Sequence, residues 1–211
     1  MSRGEMEDVP MRRRPQQARS QQTVDSILDA AADLVAEAGY ESVTTNAIAE
    51  RAGISIGTLY RYFPDKDAIL RGLAVRHLEK VRAIYDEVFT EDLVYLPLSV
   101  VLDRLIDPFV ALHTACPAYK QILLGSDVSA DIAAASEEMD AEIIDRIAGF
   151  LRRAAPDLDD QRARLVAMIC KAQVKALISL LVSDDEAFRA QATAEMKRIL
   201  LGYLAPYFRE E

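Results

Sequence analysis

The nine residues Ser55-Ile56-Gly57-Thr58-Leu59-Tyr60-Arg61-Tyr62-Phe63 hold the side chains best suited to binding chemistry. Ser55 and Thr58 are short hydroxyl donors, and Tyr60, Arg61 and Tyr62 are long ones. Ile56 offers a methyl surface, and Gly57 has no side chain to keep another molecule away. This set suits a groove walled by phosphates. The donors reach phosphate oxygens and base edges, and a branched alkyl group suits a thymine methyl. Lys66 is a separate sign, because a cation at the start of a helix opposes the helix dipole. A phosphate beside it would account for the choice. Taken singly, each residue also has an ordinary place: the tyrosines as core or rim aromatics, Lys66 as a solvated charge.

Two short helices must hold this group. Thr44 can cap a helix over 45–52, and Gly53 stops it. Ser55 caps a second over 56–63, and Pro64 ends it because the residue before proline avoids helical angles. Ala49 is small where the two would cross, while Ile48, Ile54, Leu59 and Phe63 can form a little core. The pair reads as a helix-turn-helix, whose second helix enters a major groove. Upstream, Val24, Ile27, Leu28, Ala31, Leu34 and Val35 form one apolar stripe at helical spacing, ended at Gly39. Downstream, Asp65 caps a long helix over 66–89.

The run TTNAIAERAGISIGTLYRYFPDKDAIL, residues 44–70, resembles the DNA-binding domain of the TetR (tetracycline-repressor-like, TetR/AcrR) transcriptional regulators. The likeness covers about residues 20–72. By resemblance, Thr45, Ser55, Gly57, Thr58, Tyr60, Tyr62 and Lys66 stand where members contact operator DNA. Ile56 and Arg61 join them as residues facing the DNA. Ile56 departs from the family pattern, which is often polar or basic there. Arg12, Arg13 and Arg14 lie where some members reach into a groove; on charge alone they also fit a solvated tail. Residues 1–18 mix Arg, Gln, Pro and Glu without periodicity and read as a disordered basic arm. The resemblance implies a helix-turn-helix domain over 19–72 and a helical effector-binding and dimerisation domain over 73–211. It implies a homodimeric, sequence-specific repressor released from a palindromic operator by a small-molecule effector. A ligand-independent regulator or an activator of the same fold stays open, with a small all-α enzyme as a remote reading.

The remaining chain reads as helices over about 98–113, 118–126, 132–154, 161–182 and 186–204. Pro97, Pro117, Pro156 and the Ser183-Asp184-Asp185 run break them. No stretch alternates with period two, so the fold class is all-α. The last two helices carry apolar stripes: Leu177, Leu180 and Leu181, then Phe188, Ala192, Met196, Ile199, Leu200 and Tyr203. Stripes this complete are buried in the chain's own core or against a partner; the resemblance implies a dimer interface. It also implies an effector cavity among the middle helices. Tyr85, Phe89, Leu102, Ile106 and Phe109 could line it, with His113, Met139, Ile143, Met168 and Gln173. His113 and Gln173 interrupt apolar faces and must find partners, within the core or on a ligand. Asp103 and Asp107 read as a solvated face.

Composition sets the outer bounds. At 211 residues the chain can build its own core, with 51% apolar and 28% charged residues. Apolar runs such as 176–182 are far shorter than the ~20 residues a membrane span needs. No apolar run follows the first arginines, so no signal peptide is expected. Cys116 and Cys170 make no disulfide framework, which points to a reduced, cytoplasmic setting. The net charge of −9 argues against coating nucleic acid or membrane by bulk charge. Residues 1–72 hold 9 Lys/Arg against 11 Asp/Glu, and residues 73–211 hold 16 against 23. The acid is thus concentrated in the second part. His77 and His113 lack metal-ligand spacing with the cysteines, and no HExxH, CxxC or phosphate-cradling glycine loop occurs. No catalytic residue, metal or cofactor is expected.

Overall fold

A computed structural model describes residues 18–116, 118 and 130–208. The arm with Arg12, Arg13 and Arg14 lies outside the described residues, as does the helix expected over 118–126 apart from Ala118. Eight α-helices can be bounded among the described residues, and no strand is present among them. They are α1 (Ala18–Ala38), α2 (Thr45–Arg51), α3 (Ile56–Tyr62) and α4 (Lys66–Val88). There follow α5 (Leu98–Ala115), α6 (Ala130–Ala154), α7 (Asp160–Leu181) and α8 (Glu186–Leu204). Short 3₁₀ turns lie at Tyr40–Ser42, Glu91–Tyr95 and Ala205–Tyr207. The chain divides into two compact units, Met1–Glu79 with Cys116–Ala135, and Lys80–Ala115 with Ser136–Glu211. The division falls inside α4, later than the composition shift near Gly72.

In the first unit, the stripe of α1 is buried at Val24, Ile27, Leu28, Ala31 and Val35. Gly39 ends the helix with φ +76°, the left-handed conformation that favours glycine. Thr44 caps α2, its hydroxyl accepting from Ala47 N at 3.2 Å. Gly53, at φ +66°, turns the chain into α3. Ser55 caps α3 by accepting from Thr58 N at 3.1 Å. Asp65 caps α4 by accepting from Ala68 N at 2.7 Å. Ile48, Ala49, Leu59 and Phe63 are all buried. At Gly72, α4 passes so close that a Cβ would lie 3.2 Å from both Leu28 Cδ2 and Phe63 Cε1. Two ion pairs tie the helices outside this core. Arg51 grips Glu37 with both guanidinium ends, at 2.9 and 2.8 Å, and Arg76 holds Asp29 at 2.8 Å.

The second unit has its own core, centred on Leu93, Val101, Leu102, Ile106, Leu151, Val166, Cys170, Leu181 and Met196. α5 continues through Pro108, which lacks the N–H of a regular helical turn. Asp159 caps α7 at Arg162 N (2.7 Å), and Asp185 caps α8 at Phe188 N (3.0 Å). Charged pairs link the helices. Arg82 of α4 makes a two-pronged contact with Glu142 of α6 at 2.9 Å on each arm. Arg146 pairs with Asp86. Asp103 and Asp107 are not simply solvated: Lys197 of α8 reaches them at 2.7 and 2.5 Å.

Phe63 is enclosed by its own unit, so Phe63→Ala should leave a cavity and cost about 3–5 kcal/mol. The expected reading is an earlier urea midpoint for the transition of the first unit.

Candidate nucleic-acid interface and effector region

α2, the turn at Gly53 and α3 bring eight of the nine expected contact residues together on and beside one short helix. α3 buries Leu59 and Tyr62 inward and turns Ile56, Gly57, Tyr60 and Arg61 outward. Ile56 is 37% exposed and Tyr60 39%. The hydroxyls are already ordered. Ser55 Oγ and Thr58 Oγ1 share a hydrogen bond at 2.9 Å, and Thr45 Oγ1 and Tyr60 Oη share one at 3.2 Å. The second bond joins α2 to α3, so Thr45 and Tyr60 present one fixed polar edge. Tyr62 differs from expectation. It is only 4% exposed, because it falls on the buried side of α3, and the Arg61 guanidinium lies 5.7 Å above its ring. Its ring therefore supports Arg61 from below. Lys66, the ninth residue, opens α4 beyond the Asp65 cap and is half-buried.

In the second unit, the expected effector residues fall into recognisable groups. Tyr85 and Phe89 stack at 5.8 Å between ring centroids. Burial pushes the Tyr85 phenol up to about 12, with the nearby Asp140 carboxylate adding to the effect. Phe109 and His113 meet at 4.2 Å. His113 is fully buried, and its Nδ1 lies 2.7 Å from the Phe109 carbonyl. A carbonyl only accepts, so Nδ1 carries the proton. Burial lowers the tendency of this ring to take a second proton. Leu102 and Ile106 belong to the unit's core, and Met139 and Ile143 are buried on α6. Gln173 Oε1 is buried, and no hydrogen-bond partner among the described residues reaches it. Met168 is 48% exposed on α7, turned away from the core face that carries Val166 and Cys170.

The stripes of α7 and α8 also divide. Leu181 and Met196 are enclosed in the unit's own core, which corrects their expected place at an interface. Leu177, Ala192 and Tyr203 pack at the edge of that core. Phe188 and Ile199 are exposed, and with them Leu165, Met168, Leu180 and Leu201. Leu165 and Leu201 stand outside the expected stripes, although their apolar type is legible in the sequence. Each helix has apolar residues on more than one side, and one side is enough to meet the core. Among the described residues, no group of three or more His, Cys, Asp or Glu side chains could hold a metal. No described helix is long and apolar enough to cross a membrane.

Comparison with known proteins agrees with this geometry. The family model "Bacterial regulatory proteins, tetR family" matches residues 27–73. The model "Tetracyclin repressor-like, C-terminal domain" matches residues 97–204, about half of the chain. The chain belongs to the TetR family. It is 47% identical over 55 residues to the HTH-type transcriptional repressor KstR of Rhodococcus jostii, covering 26% of each protein. Against KstR of Mycolicibacterium smegmatis it is 45% identical over 60 residues, 28% of this chain and 29% of the relative. The chain thus spans between a quarter and a third of the length of these curated relatives. A TetR-family transcriptional regulator from Streptomyces coelicolor matches at a TM-score of 0.57 and 26% identity. That match covers 88% of this chain and 99% of the other. A TetR-like transcriptional regulator from Rhodococcus sp. RHA1 shares the fold at a TM-score of 0.65, with 20% identity over 92% and 99% of the two chains.

Within this TetR-family chain, Tyr85 offers a direct check on its surroundings. Its folded value lies above the ordinary value of 10, so the stabilisation is fully present below pH 10 and is lost as pH rises through about 12. The difference corresponds to about 2–3 kcal/mol. Tyr85→Phe should remove this part of the alkaline loss, read as a flatter dependence of unfolding free energy on pH between 10 and 12.

Proposed function

We propose that this chain is a sequence-specific DNA-binding transcriptional regulator, acting as a repressor. The observation that carries the reading is the outward face of α3. A helix held by its inner face and its cap presents Ile56, Gly57, Tyr60 and Arg61 to solvent, with ordered hydroxyls at its border. Ser55, Thr58, Thr45 and Tyr60 supply phosphate contacts that set the position of the helix in the groove. Arg61 is the long donor placed to reach a base edge or phosphate. Lys66 adds charge for the phosphate backbone.

The working form is a homodimer. Leu165, Met168 and Leu180 on α7, with Phe188, Ile199 and Leu201 on α8, leave an apolar surface that a second copy would cover. A twofold dimer can place two recognition helices about 34 Å apart, one in each of two successive major grooves. The repressor acts in the cytoplasm, beside the DNA it controls.

A small molecule in the second unit releases the DNA. The buried Oε1 of Gln173, which no donor among the described residues reaches, supports this, because leaving a buried acceptor without a donor is costly and a ligand donor would satisfy it. Tyr85, Phe89, Phe109 and His113 supply aromatic walls, and Met139 and Ile143 apolar ones. The effector acts by binding one arrangement of the dimer better than the other, and its differential affinity sets how far the population moves. α4 is the continuous element shared by the two units.

Selection of duplexes from random DNA by the purified protein, followed by titration at two salt concentrations, tests the reading. The expected result is a palindromic consensus, two chains per site, and affinity that falls steeply with salt. Arg61→Ala should lose about 1–3 kcal/mol of that affinity. A folded dimer that enriches no sequence would sink the proposal. For effector control, a compound that releases the duplex from wild type should act more weakly on Gln173→Leu. Equal response of the two proteins would remove Gln173 from the effector site.

A further inference from the structure

The outward face of α3 can be sorted by what each side chain already does within the chain. Ser55 caps the helix and hydrogen-bonds Thr58. Tyr60 is tied to Thr45, and Arg61 lies over Tyr62. Two neighbouring positions have no such employment. Ile56 is 37% exposed, although isoleucine is among the most buried residue types and its β-branch makes it an indifferent helix former. Gly57 lies inside α3, where glycine is the poorest choice after proline.

Nothing in the fold calls for that glycine. Its φ is not in the positive range, unlike Gly39 and Gly53, so any residue could adopt its backbone. A Cβ added there would meet nothing nearer than Ser55 Oγ at 4.0 Å, so alanine would fit within the chain. By contrast, a Cβ at Gly72 would come within 3.2 Å of two neighbours. The missing side chain at Gly57 makes room on the outside. An exposed alkyl group and an adjoining bare stretch of helix therefore face the same external surface.

Resting on the DNA-binding reading above, we propose that Ile56 and Gly57 form one apolar base-reading step specific for thymine. Gly57 lets the helix backbone settle close to the base edges. That approach brings the Ile56 side chain against the 5-methyl group of a thymine. The chemistry of the groove sets this choice. Guanine, adenine and cytosine carry no methyl group there and present mainly hydrogen-bonding groups, whereas thymine adds a methyl. An alkyl side chain pressed on a polar edge would strip its water and return no hydrogen bond. Pressed on the methyl group, it buries apolar surface on both sides.

The test uses the duplex that wild-type protein selects from random DNA. Each thymine of a half-site is replaced in turn by uracil, which removes the methyl group and keeps every hydrogen-bonding group. Wild type should lose about fourfold in affinity at one position of the half-site, the value of one buried methyl. Ile56→Ala, whose folding is checked by circular dichroism, should bind the thymine and uracil duplexes equally at that position. Gly57→Ala should melt at or above the wild-type temperature yet bind at least tenfold more weakly. Wild type that ignores every methyl, or a uracil penalty that persists in Ile56→Ala, would overturn the inference while salt-dependent binding kept the regulator reading. So would a Gly57→Ala protein that binds as tightly as wild type. Failure of wild type to bind any duplex would overturn both.

Discussion

A seven-residue helix does not hold together in water by itself, because the cost of starting a helix outweighs so few backbone hydrogen bonds. α3 is such a helix, and the first unit is arranged around that constraint. Leu59, Tyr62 and Phe63 supply buried inward anchors, and Ser55 satisfies a free backbone N–H at the start. α2 packs against it with Ile48 and Ala49, while α1 and α4 close the core. Gly72 lets α4 come close enough to cover Phe63. With stability supplied from one side, the other side of α3 is free to carry residues that do not serve folding. Ile56 and Gly57 are two of them.

The same division of labour explains Arg61 and Tyr62. Adjacent residues on a helix point about a quarter-turn apart or more, so one can be anchored while the next is exposed. Tyr62 packs inward and Arg61 lies across its ring. The flexible arginine is thereby limited in its reach before any partner arrives. The hydrogen bond between Thr45 and Tyr60 does the same for the polar edge, since it crosses from one helix to the other. A face ordered in this way would lose less conformational freedom on association with a partner.

The second unit is held by a different balance. Its core is apolar, and its helices are also linked by charged pairs such as Arg82 with Glu142 and Lys197 with Asp103 and Asp107. Most of these pairs are partly exposed, so each adds modestly to stability and more to the choice of helix register. Two features stand out within it: the buried Oε1 of Gln173, which no hydrogen-bond partner among the described residues reaches, and the exposed apolar residues of α7 and α8. These are the groups that the proposed effector and the proposed second subunit would meet.

The sequence alone determined the all-α class, the caps at Thr44, Ser55 and Asp65, the turn at Gly53 and most helix ends. All of these are set by neighbours within a few residues, through backbone hydrogen bonds and allowed φ values. The grouping of eight expected residues on and beside α3 was legible for the same reason, because they lie close together in the chain. The burial of Tyr62, Leu181 and Met196 and the exposure of Met168 were not. Helical spacing shows that a residue lies on a stripe, but it does not say which of two apolar stripes meets the core. Leu181 faces inward and Leu180 outward, although both are leucines one position apart. Tertiary packing decided that, because only the neighbouring helices determine which side of α7 and α8 is shut away from water.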